Sequence, residues 1–496
     1  MRYALLLHLA LSAPAWASPV VGRAEELVSC LRSSLSPQAS IVFPDDPSFA
    51  NDTVRFSSYH EPTFRLVSLI ANEDDARASI ICAQKTETEF LFTKPGAHGI
   101  YSGFDRLKNG LQISTAKFDK IEVEATKNIM TVGGAVRFND VINDLYAVGK
   151  NIPVGSSPCV GILGAALGGG IGRLEGLYGL IADSLLSVRI MLPNTTVVEA
   201  SKVANPELFW GIRGAGVNFG FVLNATFQIY DLPLGGTTFS ADFEFPLDAM
   251  KDLFQSFKEG AASMPPPLCI STYMTWSDTY NATTMKVNAA YAGPQSDGRK
   301  AIRFFSDIPA LRQNFTDVPW NQLLDSAFFV NGDQSAETCG VDYGSRSSSG
   351  AAFNELTVEA HVRMTELFNY MVTKYPQMRG SDNSMYLCAT QAVRALSNDA
   401  TAYPWRQALG HQTWGIVYPE NTTDATIEYL PQRLRATIAD SAGTDGLATY
   451  IGFSRGDEPL ESLFSAEHLP RLSALKKKYD PQGLFNAYHP LPTSYP

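Results

Sequence analysis

Pro153–Arg173 reads PVGSSPCVGILGAALGGGIGR and sets seven glycines (155, 161, 164, 168, 169, 170 and 172) in a frame of Val, Ile, Leu and Ala. Glycine loses more backbone freedom on folding than any other residue, so this density needs a reason. The reason it suggests is a backbone that turns tightly, or that lies against something flat or anionic which a Cβ would hold off. The spacing fits neither nucleotide fingerprint. Arg173 follows Gly168-x-Gly170, and Glu175 follows Gly170-x-Gly172, where the dinucleotide pattern needs glycine; the Walker pattern is absent. A plain Gly-rich surface loop fits poorly with so many interleaved aliphatics.

A chain of 496 residues exceeds one ordinary core, so two or more domains are expected. Its net charge of −11 excludes nucleic acid and anionic membrane as natural partners. The first residues, MRYALLLHLALSAPAWAS, carry Arg2, an apolar run and Ala15-x-Ala17. This is the layout of a secretory signal over 1–17, too short to span a bilayer. Secretion agrees with the N-x-S/T sequons at Asn51, Asn194, Asn224, Asn281, Asn314 and Asn421. Six cysteines permit disulfides in an oxidising compartment, but their number does not fix the pairing and their spacing fits no zinc motif.

Beyond the leader the pattern is α+β. Strands are expected at Phe64–Ile70, Glu89–Lys94, Leu111–Ser114, Lys120–Glu124, Ile129–Val132 and Val222–Tyr230, and a hairpin at Ser184–Leu192 with Thr196–Glu199. Helices are expected at Ala24–Ser33, at Glu73–Gln84 capped by Asn72, at Arg137–Val148 and from Asn205. After Gly235 the texture changes to alternating strands (Thr237–Phe243, Met285–Ala290) and helices (Ala249–Lys258, Phe353–Val372), with breakers at Pro265–Pro267 and Ser345–Gly350. Leu469–Lys478 reads as a basic helix before an aromatic tail.

Few residues stand out for chemistry. His98 sits in the turn Pro95-Gly-Ala-His-Gly99, where backbone N–H groups can cradle a phosphate; an exposed loop histidine is the bland alternative. No histidine pair has metal-ligand spacing, so no metal is expected, and no G-x-S-x-G elbow is present. Paired carboxylates for sugar hydrolysis leave no signature in sequence, so a colourless secreted glycosidase or carbohydrate-binding protein stands as the alternative from another class.

Four blocks occur in order: KPGAHGIYSG, PVGSSPCVGILGAALGGGIGRLEGLYGLIADSL, NPELFWGIRGAGVNFGFV and KKKYDPQGLFNAYHPL. Together they resemble the berberine-bridge-enzyme-like flavoproteins of the vanillyl-alcohol-oxidase superfamily, especially secreted fungal members. The resemblance is firm from His60 to Leu234 and at the tail, and thin between. It implies an FAD-linked oxidoreductase with a two-subdomain PCMH-type FAD-binding domain (60–234) after an N-terminal segment (18–59). An antiparallel-sheet substrate domain covered by helices (235–447) and a C-terminal segment returning to the flavin (448–496) complete it. The flavin would lie against Gly96, Ala97, Gly99, Ser157, Cys159, Val160, Gly161, Gly164, Gly168, Gly169, Gly170, Gly220 and Val222, with the protein supplying orientation and electrostatics.

By the same resemblance, His98 bonds the flavin 8α-methyl, and Cys30 pairs with Cys82. Ser157 stands where many members carry a second flavin-linking cysteine, so a single link through His98 is expected, with Cys159 a buried structural thiol. Val160 matches the oxygen-admitting form of a gating position, which favours an oxidase producing hydrogen peroxide over a dehydrogenase. The family's Tyr-x-Asn-Tyr is here Tyr450-Ile-Gly-Phe453, so the proton-accepting phenol is replaced by a ring that accepts nothing. Tyr450 and Tyr488 remain as phenols for that role, unless the substrate is acidic enough to need little help. The expected substrate is a small organic molecule, an alcohol or a secondary-metabolite intermediate, handled by a monomer; a carbohydrate oxidised to a lactone is the alternative on the same fold.

Overall fold

The computed structural model describes residues 19–93, 96–329, 344–419 and 425–496. The signal sequence expected over 1–17, the sequon at Asn421, and Lys94 and Pro95 of the His98 turn lie outside the described residues.

The first sheet has the order β1-β2-β4-β3, from Ser40–Val42 (β1), Phe64–Leu69 (β2), Phe90–Thr93 (β3) and Gly110–Ser114 (β4). β4 runs parallel to both β2 and β3, and the Glu73–Lys85 helix forms the crossover from β2 to β3. Asn72 caps that helix as expected, its side chain accepting from the Asp75 N–H at 3.0 Å. A disulfide joins Cys30, on the Pro19–Ser34 helix, to Cys82, with Cα atoms 5.7 Å apart.

The second sheet, wholly antiparallel, has the order β5-β6-β10-β8-β9. Its strands are Ile121–Glu124 (β5), Ile129–Gly133 (β6), Leu185–Met191 (β8), Val197–Ser201 (β9) and Phe221–Gln228 (β10); Lys150–Asn151 (β7) pairs separately with Tyr230–Asp231 (β11). β8 and β9 form the expected hairpin. Asn224 is half-buried in the central strand β10, a poor place for a glycan, whereas Asn51, Asn194, Asn281 and Asn314 are exposed.

The third sheet is antiparallel, in the order β15-β12-β14-β13-β17-β18-β16. Its strands are Thr237–Pro246 (β12), Leu268–Ser277 (β13), Ala282–Tyr291 (β14), Arg312–Pro319 (β15), Arg346–Phe353 (β16), Asp382–Cys388 (β17) and Gly410–Val417 (β18). Three helices, Met250–Ala261, Val358–Lys374 and Ala425–Ala439, contribute Phe254, Phe368 and Leu434 to the core beneath it, against Met385, Leu387, Trp414 and Ile416. Strand side chains alternate between faces. The partners of that core set, Asp382, Tyr386, Thr413 and Gly415, therefore look away from the helices, into a cavity.

Two readings need correction here. Of Ser345–Gly350, expected to break the chain, all but Ser345 belong to strand β16, and the helix expected from Phe353 begins at Val358. The run of small residues meets a packing demand: a Cβ on Gly350 would lie 2.7 Å from Cβ of Phe453, so the C-terminal segment can rest on β16 only because its side chains are small.

An ion pair with a fully buried arginine fastens the loop before β18 to the region following the Gly-rich stretch. Arg406 donates through Nη1 and Nη2 to both Asp183 oxygens, at 2.9 and 2.7 Å, and through Nη2 to the Thr401 hydroxyl. Removing one partner strands the other charge in a dry environment. Arg406→Met should lower stability by about 3–5 kcal/mol, read as a fall in the denaturation midpoint, and Arg406→Met with Asp183→Leu should recover part of it.

Candidate functional site: a glycine-walled cavity between sheets

The turn carrying His98 and the Gly-rich stretch touch backbone to backbone. A Cβ on Gly96 would lie 2.6 Å from the Cys159 carbonyl oxygen, so only glycine admits this approach. Ala97, at φ +46°, adopts the left-handed conformation that side chains disfavour. The strained turn is held from outside: the Phe56 N–H donates to the Ala97 carbonyl at 3.3 Å, and Arg55 Nη2 donates to the Gly99 carbonyl at 2.9 Å.

These loops wall a cavity of about 620 Å³. Of the residues expected at a cofactor, Gly96, Ala97, His98, Gly99, Ser157, Val160, Gly161, Gly164, Gly220 and Val222 line it. Cys159, Gly168, Gly169 and Gly170 do not. A Cβ on Gly168 would meet Ile451 at 2.6 Å, on Gly169 Tyr403 at 2.6 Å, and on Gly170 Ile181 at 2.7 Å, so this triplet serves close packing behind the wall. Cys159 is disulfide-bonded, which corrects the expectation of a free thiol.

His98 stacks on Phe56, with ring centroids 4.2 Å apart, and burial lowers its pKa to about 4, so the imidazole is neutral near pH 7. The two remaining phenols are poorly set to take a proton. Tyr450 points its hydroxyl at the Ala165 carbonyl, 3.5 Å away, and Tyr488 donates to the Ile451 carbonyl at 2.8 Å. Burial raises both above the ordinary tyrosine range. Phe453 lines the same cavity and stacks on Tyr386, centroids 5.6 Å apart.

Sequence reasoning missed the polar face opposite the glycine wall. Arg346 (β16), Asp382 and Tyr386 (β17) and Thr413 (β18) all line the cavity. Arg346 Nη1 donates to Asp382 Oδ1 at 2.7 Å. Burial pushes the Asp382 carboxyl up, against the pull of Arg346, the Ser384 hydroxyl and the Gly415 N–H. The usable signal was the alternation from Asp382, which sets Asp382, Ser384 and Tyr386 on one face and Met385 and Leu387, with Asn383, on the other.

The cavity fits an FAD. Gly161 and Gly164 leave the wall open, a Cβ on Gly164 meeting nothing within 4 Å. Arg55, buried at the margin, has Nη1 without a hydrogen-bond partner, a donor suited to an anionic ligand. Residues 64–201 match the FAD binding domain family, and 449–492 match the berberine and berberine-like family. The chain is 33% identical over 454 residues to the FAD-linked oxidoreductase azaL of Aspergillus niger, covering 91% of this chain and 95% of that one. It is likewise 33% identical to FAD-linked oxidoreductase OXR1 of Pyricularia oryzae, covering 93% and 90%. In fold it is similar to Physcomitrella patens BBE-like 1, at 20% identity and TM-score 0.83 over 95% of this chain and all of that one. It is also similar to a chitooligosaccharide oxidase, at 22% identity and TM-score 0.80 over 94% and 99%. The colourless glycosidase or carbohydrate-binding protein is thereby set aside. With its glycine wall, its returning C-terminal segment and relatives matched over nearly their whole length, the chain belongs to the berberine-bridge-enzyme-like FAD-linked oxidoreductases and takes FAD as its cofactor.

Proposed function

We propose that the protein is an exported, monomeric oxidase that removes hydride from a small organic alcohol or amine and passes the electrons to dioxygen. The observation that carries this reading is the shared cavity, with the glycine wall and His98 on one side and the Arg346–Asp382 pair on the other. When bound, the flavin supplies a two-electron acceptor that dioxygen reoxidises to hydrogen peroxide. Val160, on the cavity wall, supports oxygen access. The N-terminal leader pattern and the exposed Asn51, Asn194, Asn281 and Asn314 support export.

His98 attaches the flavin covalently in this reading, and Ser157, also on the wall, offers no thiol for a second link. Asp382 takes the substrate proton. Among the described residues it is the carboxylate that lines the cavity, and its raised pKa makes it a stronger base than an ordinary aspartate. Arg346 holds it in place through Oδ1. Tyr386 and Phe453, stacked together, present a flat apolar surface to the substrate. The polar row Ser348, Asp382 and Thr413 supports the second reading, a carbohydrate substrate, because such a row can hydrogen-bond a sugar ring.

Acid precipitation tests the link. Wild-type protein should carry its yellow colour into the pellet, and His98→Ala should release all of it; free flavin from the wild type would refute covalent attachment. A peroxide-release screen over alcohols, amines and oligosaccharides identifies the substrate and separates the two readings. On the best substrate, Asp382→Asn should lower kcat about 100-fold or more. Because burial raises the Asp382 pKa, wild-type kcat/KM should fall on acidification with an apparent pKa above the ordinary aspartate value of 3.8, and that acid limb should vanish in the variant.

A further inference from the structure

We propose that Arg55 and Phe56 are positioning residues for covalent attachment of the flavin, a clamp that presents the His98 imidazole to the cavity. This rests on the His98 reading above. The two residues precede the matched FAD-domain segment, which starts at residue 64, and no recognisable cofactor motif contains them.

The clamp grips Ala97, His98 and Gly99 in different ways. The Phe56 N–H holds the Ala97 carbonyl, the Phe56 ring stacks on the His98 ring at 4.2 Å and 22°, and Arg55 Nη2 holds the Gly99 carbonyl. Arg55 is itself braced, its guanidinium 4.5 Å from the Phe104 ring centroid. Ala97 keeps a positive φ of 46°, and such a conformation persists only where its surroundings over-determine it. Without the clamp the turn would relax, and the imidazole would swing from its aim. The stacked ring also covers one face of the imidazole, which agrees with the burial that keeps His98 neutral and its lone pair available.

Attachment is a bond exchange. One imidazole N–H and one C–H of the flavin 8-methyl break, and an N–C bond forms. The two protons and two electrons reduce the flavin ring, which dioxygen reoxidises to give hydrogen peroxide. Such a step depends on near-attack geometry, and an error near 1 Å can cost about 100-fold in rate. A clamp that fixes the attacking ring therefore governs whether the link forms, even where the flavin still binds.

The test measures acid-stable and acid-released flavin in purified full-length wild type, Phe56→Leu, Phe56→Tyr and Arg55→Met. The covalent share of bound flavin should fall about 10-fold or more in Phe56→Leu and Arg55→Met. Total flavin should stay near one per chain in Phe56→Leu, whereas Arg55→Met also removes a donor at the cavity margin and is read by its covalent share alone. Phe56→Tyr, which keeps the stacked ring, should retain the wild-type share. If the leucine and methionine variants keep the full covalent share, the clamp is refuted. It is equally refuted if total flavin falls and the covalent share does not, since that marks a structural role only. If the wild type itself holds no acid-stable flavin, the His98 reading fails first, and that outcome is distinct.

Discussion

Main chain lies directly on main chain where Gly96 meets the Cys159 carbonyl, with no room for a methyl group between them. That contact brings two loops far apart in sequence to one wall and sets the depth of the cavity. The next residue, Ala97, holds a left-handed conformation, and the 55–56 segment supports it from outside. Behind the wall, Gly168–Gly170 let Ile451, Tyr403 and Ile181 approach closely. The glycines thus divide into those that face the cavity and those that let other segments press up to its back.

The electrostatics of the cavity follow from burial. A neutral imidazole at His98, phenols raised beyond use at Tyr450 and Tyr488, and a carboxylate whose rise is restrained by Arg346 all reflect removal from water with differing compensation. Phe453 presents an aromatic surface stacked on Tyr386 and carries no group that can take a proton.

The elements of the first two sheets were legible because their signals are local. Asn72 caps its helix, β8 and β9 turn back at Pro193-Asn194, and the apolar spacing from Val141 to Leu145 marks a buried helix face. Motif order carried the cofactor. What sequence hid was non-local. Ser347, Ser348 and Ser349 look like loop residues until Phe453, about a hundred positions later, is seen pressing on Gly350. Arg346 and Asp382 pair across the intervening strand β18, an arrangement of β16 and β17 that no local pattern discloses. The resemblance places the glycine triplet at the cofactor, but a motif does not disclose which of its glycines face the cavity and which face the packing behind it.

The segment that clamps His98 continues into Ser57, whose hydroxyl donates to the Arg346 carbonyl at 2.7 Å and accepts from the Arg346 N–H at 3.1 Å. Tyr59 then stacks on Tyr418, centroids 4.8 Å apart, and bonds Arg455 through its hydroxyl. Five consecutive residues therefore span from the His98 turn to the strand that bears Arg346 on the other side of the cavity. This limits how modular the fold can be. Variation that shifts β16 therefore also pulls on the turn that carries His98, so the β16 side of the cavity can change only in concert with residues 55–59.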